Sequence, residues 1–309
     1  MLKLNTKSVF IFSDPNMDEF YFKLNYTIKF FVTKFGATEL ALKLIAMEPN
    51  INLEEKDVDG NTVLHYEAMY GNNKIVSALT NINLDIQNKY GNTALSLAAR
   101  EGHSEVVTIL VNAGANLNIQ NKEGNTALYL AAKGGHSEVV SILVNSNIQT
   151  PKEDLNTALI LAVEEGHSKV VSILVNAGAN VDIQNKYGNT ALSLAAREGY
   201  TEIVSILVNA GANLDIPNDY GNTALILAAK ERNTQIVVIL LDHGVDINYQ
   251  NKLNGDTALI AATKGKHLYL VKFLVKSGAN VNLTNKFGNT ALDYALSNKD
   301  SDLINVLTI

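Results

Sequence analysis

The eighteen residues from Asp85 to Gly102, DIQNKYGNTALSLAAREG, recur letter for letter at Asp182–Gly199, 97 residues downstream. They are two copies from a longer series. Gly-Asn-Thr or a close variant opens at Gly60, Gly91, Gly124, Gly188, Gly221, Gly255 and Gly288, and Leu155-Asn156-Thr157 fills the remaining slot. Successive steps are 31, 33, 31, 33, 33, 34 and 33 residues. A period of this length dictates a solenoid, because one such unit cannot bury its own apolar face and must stack on its neighbours. That overrides the prior of about two domains that a chain of 309 residues would suggest. The identity of copies three repeats apart points to recent duplication rather than to site chemistry.

One unit, residues 87–119, reads QNKYGNTALSLAAREGHSEVVTILVNAGANLNI. Thr93 is a good N-cap for a short helix through Ala94, Leu95, Leu97, Ala98 and Ala99, whose small residues allow close helix approach. Gly102 suits the left-handed end of that helix. Ser104 is expected to cap a second helix, in which Val106, Val107, Ile109 and Leu110 follow the spacing of a buried face. Gly114 closes it. Leu117 and Ile119 alternate with polar neighbours and lead to a turn at Asn121–Gly124, as in a hairpin.

Helix, turn, helix, hairpin: the unit resembles an ankyrin repeat, whose family pattern reads G-x-T-P-L-H-x-A-A-x-x-G-H-x-x-I-V-x-L-L-L-x-x-G-A-x-V-N. The resemblance implies an all-α solenoid with short β-hairpin loops, elongated and curved. Residues 1–22 are expected to form an N-terminal cap or extension, and 23–309 a single repeat domain. Its units run 23–56, 57–87, 88–120, 121–151, 152–184, 185–217, 218–251, 252–284 and 285–309. The first is degenerate: placing Thr27 on Thr93 puts Gly36 on Gly102 and Glu39–Leu44 on a second helix.

The chain departs from the pattern in places. Ala, the best helix former, replaces Pro after the capping Thr in most units, so the helix start should survive. The family's His is kept at His65; elsewhere that slot holds Ser96, Tyr129, Ile160, Ser193, Ile226, Ile260 or Asp293. Two units lose the Ala-Gly end of their second helix, near Asn81 and Asn145. Around Thr150–Leu155 the turn glycine is also missing and Pro151 disfavours a regular hairpin, so an irregular finger is expected there. Another unit gains a residue near Leu253-Asn254.

Seven of the nine Phe lie in the first 35 residues. They suit a cap over the open face of the stack, or a docking or self-association element. Lys7–Ser13 reads as a short strand before the Asp14-Pro15-Asn16 turn. At the other end Ser301–Leu307 reads as a second helix, with Asp293, Asn298 and Asn305 as a partial polar conversion of an end cap.

The chain holds no cysteine, so neither disulfides nor thiolate zinc sites are available. A formal charge of −6 argues against a nucleic-acid partner. No apolar run approaches the roughly 20 residues of a membrane span, and no signal peptide is legible. His103, His136 and His167 share one turn slot on successive units, roughly 10 Å apart, too far to share a metal; bracing of the loops is expected. His65 is expected to bond its own helix start. No phosphate loop, nucleophile elbow or paired carboxylate presents itself, so no catalysis, cofactor, metal or small-molecule substrate is expected.

What remains is surface. Residues that vary on the constant frame are the candidates for binding a partner protein: the finger tips Tyr90, Tyr187, Tyr220 and Phe287; the ends of the first helices, at Arg100, Lys133, Arg197, Glu198, Lys230 and Glu231; and the old His slot, notably Tyr129. The strip from Tyr187 to Lys230 is the expected centre. The resemblance implies a non-catalytic interaction module working through its concave face; a monomer is expected, and the missing cysteine and signal peptide suit a cytoplasmic place. Two other roles are implied: an effector delivered into a host cell, since Asn, Ile and Lys are as abundant as in AT-rich genomes, or a scaffold self-associating through the Phe-rich end.

Overall fold

The computed structural model describes residues 38–47, 52–146 and 150–308. The expected strand and turn before residue 22, the Phe-rich segment, Thr27 and Gly36 fall outside them. Seventeen helices lie among the described residues. They alternate in two rows. First helices pack side by side: Val63–Met69, Ala94–Glu101, Ala127–Lys133, Lys152–Glu164, Ala191–Glu198, Ala224–Lys230, Ala258–Lys264 and Ala291–Ser297. Second helices form the outer row: Asn73–Ala78, Ser104–Asn112, Ser137–Val144, Ser168–Asn176, Thr201–Asn209, Thr234–Asp242, Leu268–Lys276 and Ser301–Leu307. Thr38–Met47 packs on Asn73–Ala78, in the place of a second helix one unit earlier.

Local chemistry sets each boundary. Thr93 Oγ1 accepts from Ser96 N–H (3.2 Å) while Ser96 Oγ accepts from Thr93 N–H (3.0 Å), a reciprocal cap that satisfies two orphan donors. Gly102 ends the helix at φ 80°. The second helix begins at Ser104 itself, and the residue before it is His103, so Ser104 is not the cap. The His103 side chain makes no cap hydrogen bond; its Nε2 reaches Met69 O of the preceding unit at 3.0 Å. The same inter-unit contact joins His136 to Arg100 O (2.9 Å), His167 to Lys133 O (3.1 Å) and His267 to Lys230 O (3.1 Å). Where His is absent, Asn233 Nδ2 donates to Ala196 O and Arg197 O instead, at 2.9 and 3.1 Å. These rings also cover the glycine that ends the preceding first helix: a Cβ on Gly102 would lie 2.5 Å from His136 Nδ1.

His65 holds its own helix start and the next finger together. Thr62 N–H donates to Nδ1 at 3.1 Å, which leaves the proton on Nε2 to donate to Asn92 O at 3.1 Å. Burial keeps this imidazole below its usual pKa, consistent with the neutral form that pattern requires.

Between units the chain makes tight fingers rather than strands; among the described residues there is one isolated bridge, Gln184 with Thr190. The first finger is built on Asp57, whose Oδ1 accepts from Asp59 and Asn61 N–H, and the later ones on an Asn. Asn88 Oδ1 accepts from Tyr90 and Asn92 N–H at 2.9 and 3.0 Å, and Asn88 N–H donates to Asn92 O. The inserted residue at Leu253-Asn254 widens one such turn, with Gly255 N–H still reaching Asn251 O at 2.7 Å.

The expected finger at Thr150–Leu155 is not there. Pro151 (φ −58°) precedes a helix of 13 residues that runs through the slot, so Thr157 sits inside it and bonds back to Glu153 O rather than capping. Leu155 is buried, and as Leu it lacks the easy left-handed conformation that the other fingers take from glycine. Glu153 and Asp154 fall in the first turn, where acidic groups suit the helix N-terminus.

Gly102 and Gly114 separate two demands on a glycine. Both have positive φ, 80° and 89°, but a Cβ on Gly114 meets nothing within 4 Å. Gly114→Ala should lower unfolding stability by about 1 kcal/mol, the left-handed penalty alone. Gly102→Ala adds the collision with His136 and should lower it by about 2–3 kcal/mol. Chemical denaturation of the two variants checks the difference.

Candidate protein-binding face

The fingers are tied into rows. Lys89 N–H donates to Asp59 O (2.9 Å) and Lys122 N–H to Tyr90 O (3.0 Å). Further along, Asp219 N–H donates to Tyr187 O (3.1 Å) and Lys286 N–H to Asn254 O (2.9 Å). Beneath runs an amide ladder: Asn88 to Asn61, Asn121 to Asn92, Asn218 to Asn189 and Asn251 to Asn222, with Nδ2 to Oδ1 distances of 2.8, 3.0, 2.8 and 2.7 Å. Asn285 continues it to Asp256, whose other oxygen receives Lys264 Nζ at 2.6 Å.

On this scaffold the aromatic tips point outward. Tyr90, Tyr187, Tyr220 and Phe287 are 56, 49, 60 and 73 % exposed. Lys89 and Lys186 lie over the rings of Tyr90 and Tyr187 at 5.2 and 5.0 Å, so each Tyr carries its own cation. Arg100 pairs with Glu101 at 2.9 Å and Arg197 with Glu198 at 2.7 Å, both partly exposed and so contributing little to stability. Lys133, Lys230 and Glu231 are exposed at the ends of their helices. Lys264 is committed elsewhere, to Asp256 and to the face of Tyr294 at 4.4 Å.

The old His slot divides. His65, Ser96, Ser193, Ile226 and Ile260 are buried against the next unit, and that slot is closed to a partner there. Tyr129 and Ile160 remain half-buried. They line two clefts of about 590 Å³ each. The first gathers Tyr90, Arg100, Tyr129 and Lys133. The second lies between Tyr129 and Tyr187, over the unusual helix. Arg197, Glu198, Tyr220, Lys230, Glu231 and Phe287 border neither, so of the Tyr187–Lys230 strip expected to be central only the Tyr187 end reaches a cleft. Thr157 and Glu153 were not legible as cleft residues, because an irregular finger was expected where they form a helix; Pro151 followed by two acids was the available signal. Tyr269, 77 % exposed on an outer helix, had no signal beyond its place on the polar face.

A match to the family model described as ankyrin repeats (3 copies) covers residues 30–121, 110–185, 177–251 and 245–308. The chain belongs to the ankyrin repeat family. Ankyrin repeats are generally protein–protein interaction modules and generally non-catalytic. A search of curated proteins finds no match to the chain. No helix among the described residues of this ankyrin array is long and apolar enough to cross a membrane. Among the same residues no cluster of His, Asp and Glu could hold a metal ion.

One acid sits apart from this surface. Glu67 takes the position that Ala98 holds in the next unit and is fully buried. Burial pushes its carboxyl from the ordinary 4.5 up to about 7, opposed by the hydrogen bond from Asn72 Nδ2 at 2.5 Å. Its second oxygen has no partner. Sealed from solvent, it affects stability rather than chemistry. Between 4.5 and 7 the folded state holds this proton and the unfolded chain does not. Stability should therefore be greatest below 4.5 and fall as pH rises to 7, by about 3 kcal/mol in all. Denaturation of the parent chain and Glu67→Gln across that range should show the difference between them growing with pH, and a constant difference would contradict the assignment.

Proposed function

We propose that the protein is a non-catalytic module that binds a partner protein through the concave face formed by its finger tips and first helices. One observation carries this reading: exposed aromatics stand at four finger tips, on fingers tied to their neighbours by main-chain and Asn side-chain hydrogen bonds. Rigid aromatic side chains bury large area on binding with little loss of conformational freedom, and Tyr and Arg are enriched at interface hot spots. Tyr90, Arg100, Tyr129 and Lys133 supply one group of contacts. Tyr187, Arg197, Glu198, Tyr220, Lys230 and Glu231 supply a second, and Phe287 extends it. The charged residues among them set orientation and partner choice more than affinity.

The test uses the full chain as bait, with the recovered partner purified and titrated calorimetrically. Replacing Tyr187, Arg197 and Tyr220 together by Ala should weaken that partner at least about thirtyfold, the loss of one anchor of ~2 kcal/mol. Circular dichroism should be unchanged, since all three side chains are exposed. Unaltered affinity would reject the site.

A further inference from the structure

The row of fingers has a gap. Elsewhere a finger's tip carbonyl is met by the next finger: Asp59 O by Lys89 N–H, Tyr90 O by Lys122 N–H, Tyr187 O by Asp219 N–H, and Tyr220 O by the side-chain amide of Asn251. At the unit where Lys152–Glu164 replaces the finger, the series stops. Among the described residues the carbonyl of Glu123 receives no finger amide, and the amide of Lys186 reaches no finger carbonyl. The amide ladder stops with it: among the described residues Asn125 Oδ1 and Asn185 Nδ2 have no counterpart of the bonds at Asn92 and Asn218. The glycines register the same break independently. A Cβ on Gly91 would meet Lys122 N at 2.8 Å and one on Gly255 would meet Lys286 N at 2.7 Å, whereas Gly124 meets nothing within 4 Å, like Gly288 in the last finger. Gly91, Gly188, Gly221 and Gly255 are buried; Gly124 and Gly288 are exposed.

The gap opens onto the cleft of about 590 Å³ between Tyr129 and Tyr187, which Lys186 lines, while Glu123 on its other edge borders the neighbouring cleft. Thr157 and Ile160 are on the floor helix of the former, and its lining carries two carboxylates, Glu153 and Glu164, against the single ammonium of Lys186. We propose that this gap docks an extended segment of a partner protein bearing a basic side chain beside an apolar one, which takes the place of the absent finger. Its main chain donates to Glu123 O and accepts from Lys186 N–H, as a finger would. Its apolar side chain lies over Ile160 between the two tyrosines, and its basic group meets Glu153 and Glu164. Main-chain bonds supply affinity and the cleft supplies selectivity, the division seen when a strand adds to a sheet edge. This deepens the protein-binding reading and rests on it.

The test pans a displayed library of random dodecapeptides against the full chain. The selected peptides are then titrated on it and on variants. Thr157→Arg puts bulk and positive charge on the exposed floor without touching the core. A second variant restores the finger by giving positions 151–156 the Gln87–Asn92 sequence: Pro151→Gln, Lys152→Asn, Glu153→Lys, Asp154→Tyr and Leu155→Gly. Selected peptides should pair Lys or Arg with an apolar residue and bind both variants about tenfold or more weakly. They should also slow amide exchange at Lys186 by a similar factor. If the restored variant fails to fold, Thr157→Arg and the exchange at Lys186 decide. Peptides that bind Thr157→Arg as well as the parent overturn the gap as the site. If those same peptides are weakened by Arg197→Ala with Tyr220→Ala, the broader binding face survives while this inference does not. Failure to select any peptide overturns the inference as well. So does a concentration-dependent dimer of the full chain that Thr157→Arg abolishes, since the occupant would then be a second copy.

Discussion

Every unit of this molecule is finished by the next one, and that dependence is the constraint from which the rest follows. Leu110, Leu143, Leu174, Leu207, Leu240 and Leu274 hold one position on successive outer helices, and all are at most 2 % exposed. Burying such a side chain contributes about 1.5–3 kcal/mol, but only when the neighbouring layer is present. The polar contacts obey the same logic. The imidazole of one unit satisfies the last carbonyls of the unit before, and the finger of one unit satisfies the tip of another. Stability of this kind is a sum of nearest-neighbour terms.

Three sets of contacts run along the array, and they are independent of one another. At the unit beginning at Pro151 this independence becomes visible. The helical rows pass through without interruption: Ala158, Leu159 and Ala162 are fully buried, and His167 still bonds Lys133 O. Only the finger row is broken, together with the amide ladder beneath it. A change of five residues can therefore remodel the binding face while leaving the core intact. The same separation explains how tip residues vary from unit to unit on a constant frame.

Much of the local structure was legible because the residues that decide it act within a few positions. Thr93, Gly102 and Gly114 mark helix ends through their own backbone and side-chain chemistry. His65 behaves as the resemblance implies. Two readings missed for opposite reasons. Ser104 has the chemistry of a cap, yet the helix already includes it and His103 spends its side chain on the neighbouring unit. Residues 150–155 were read as a damaged finger, since the period demanded one, while Pro151, Glu153 and Asp154 were spelling a helix start.

The sequence by itself determined the repeat, its period, the alternation of helices and the outward place of Tyr90, Tyr187, Tyr220 and Phe287, because periodicity and capping are local properties that recur. Which slots stay open was decided only in three dimensions. Ser96 and Tyr129 occupy the same position in their units, yet one is sealed and the other lines two clefts. The difference arises from what the adjacent unit places against each, and that is a relation between residues some thirty positions apart, set by stacking and not by either residue's own neighbours in the chain.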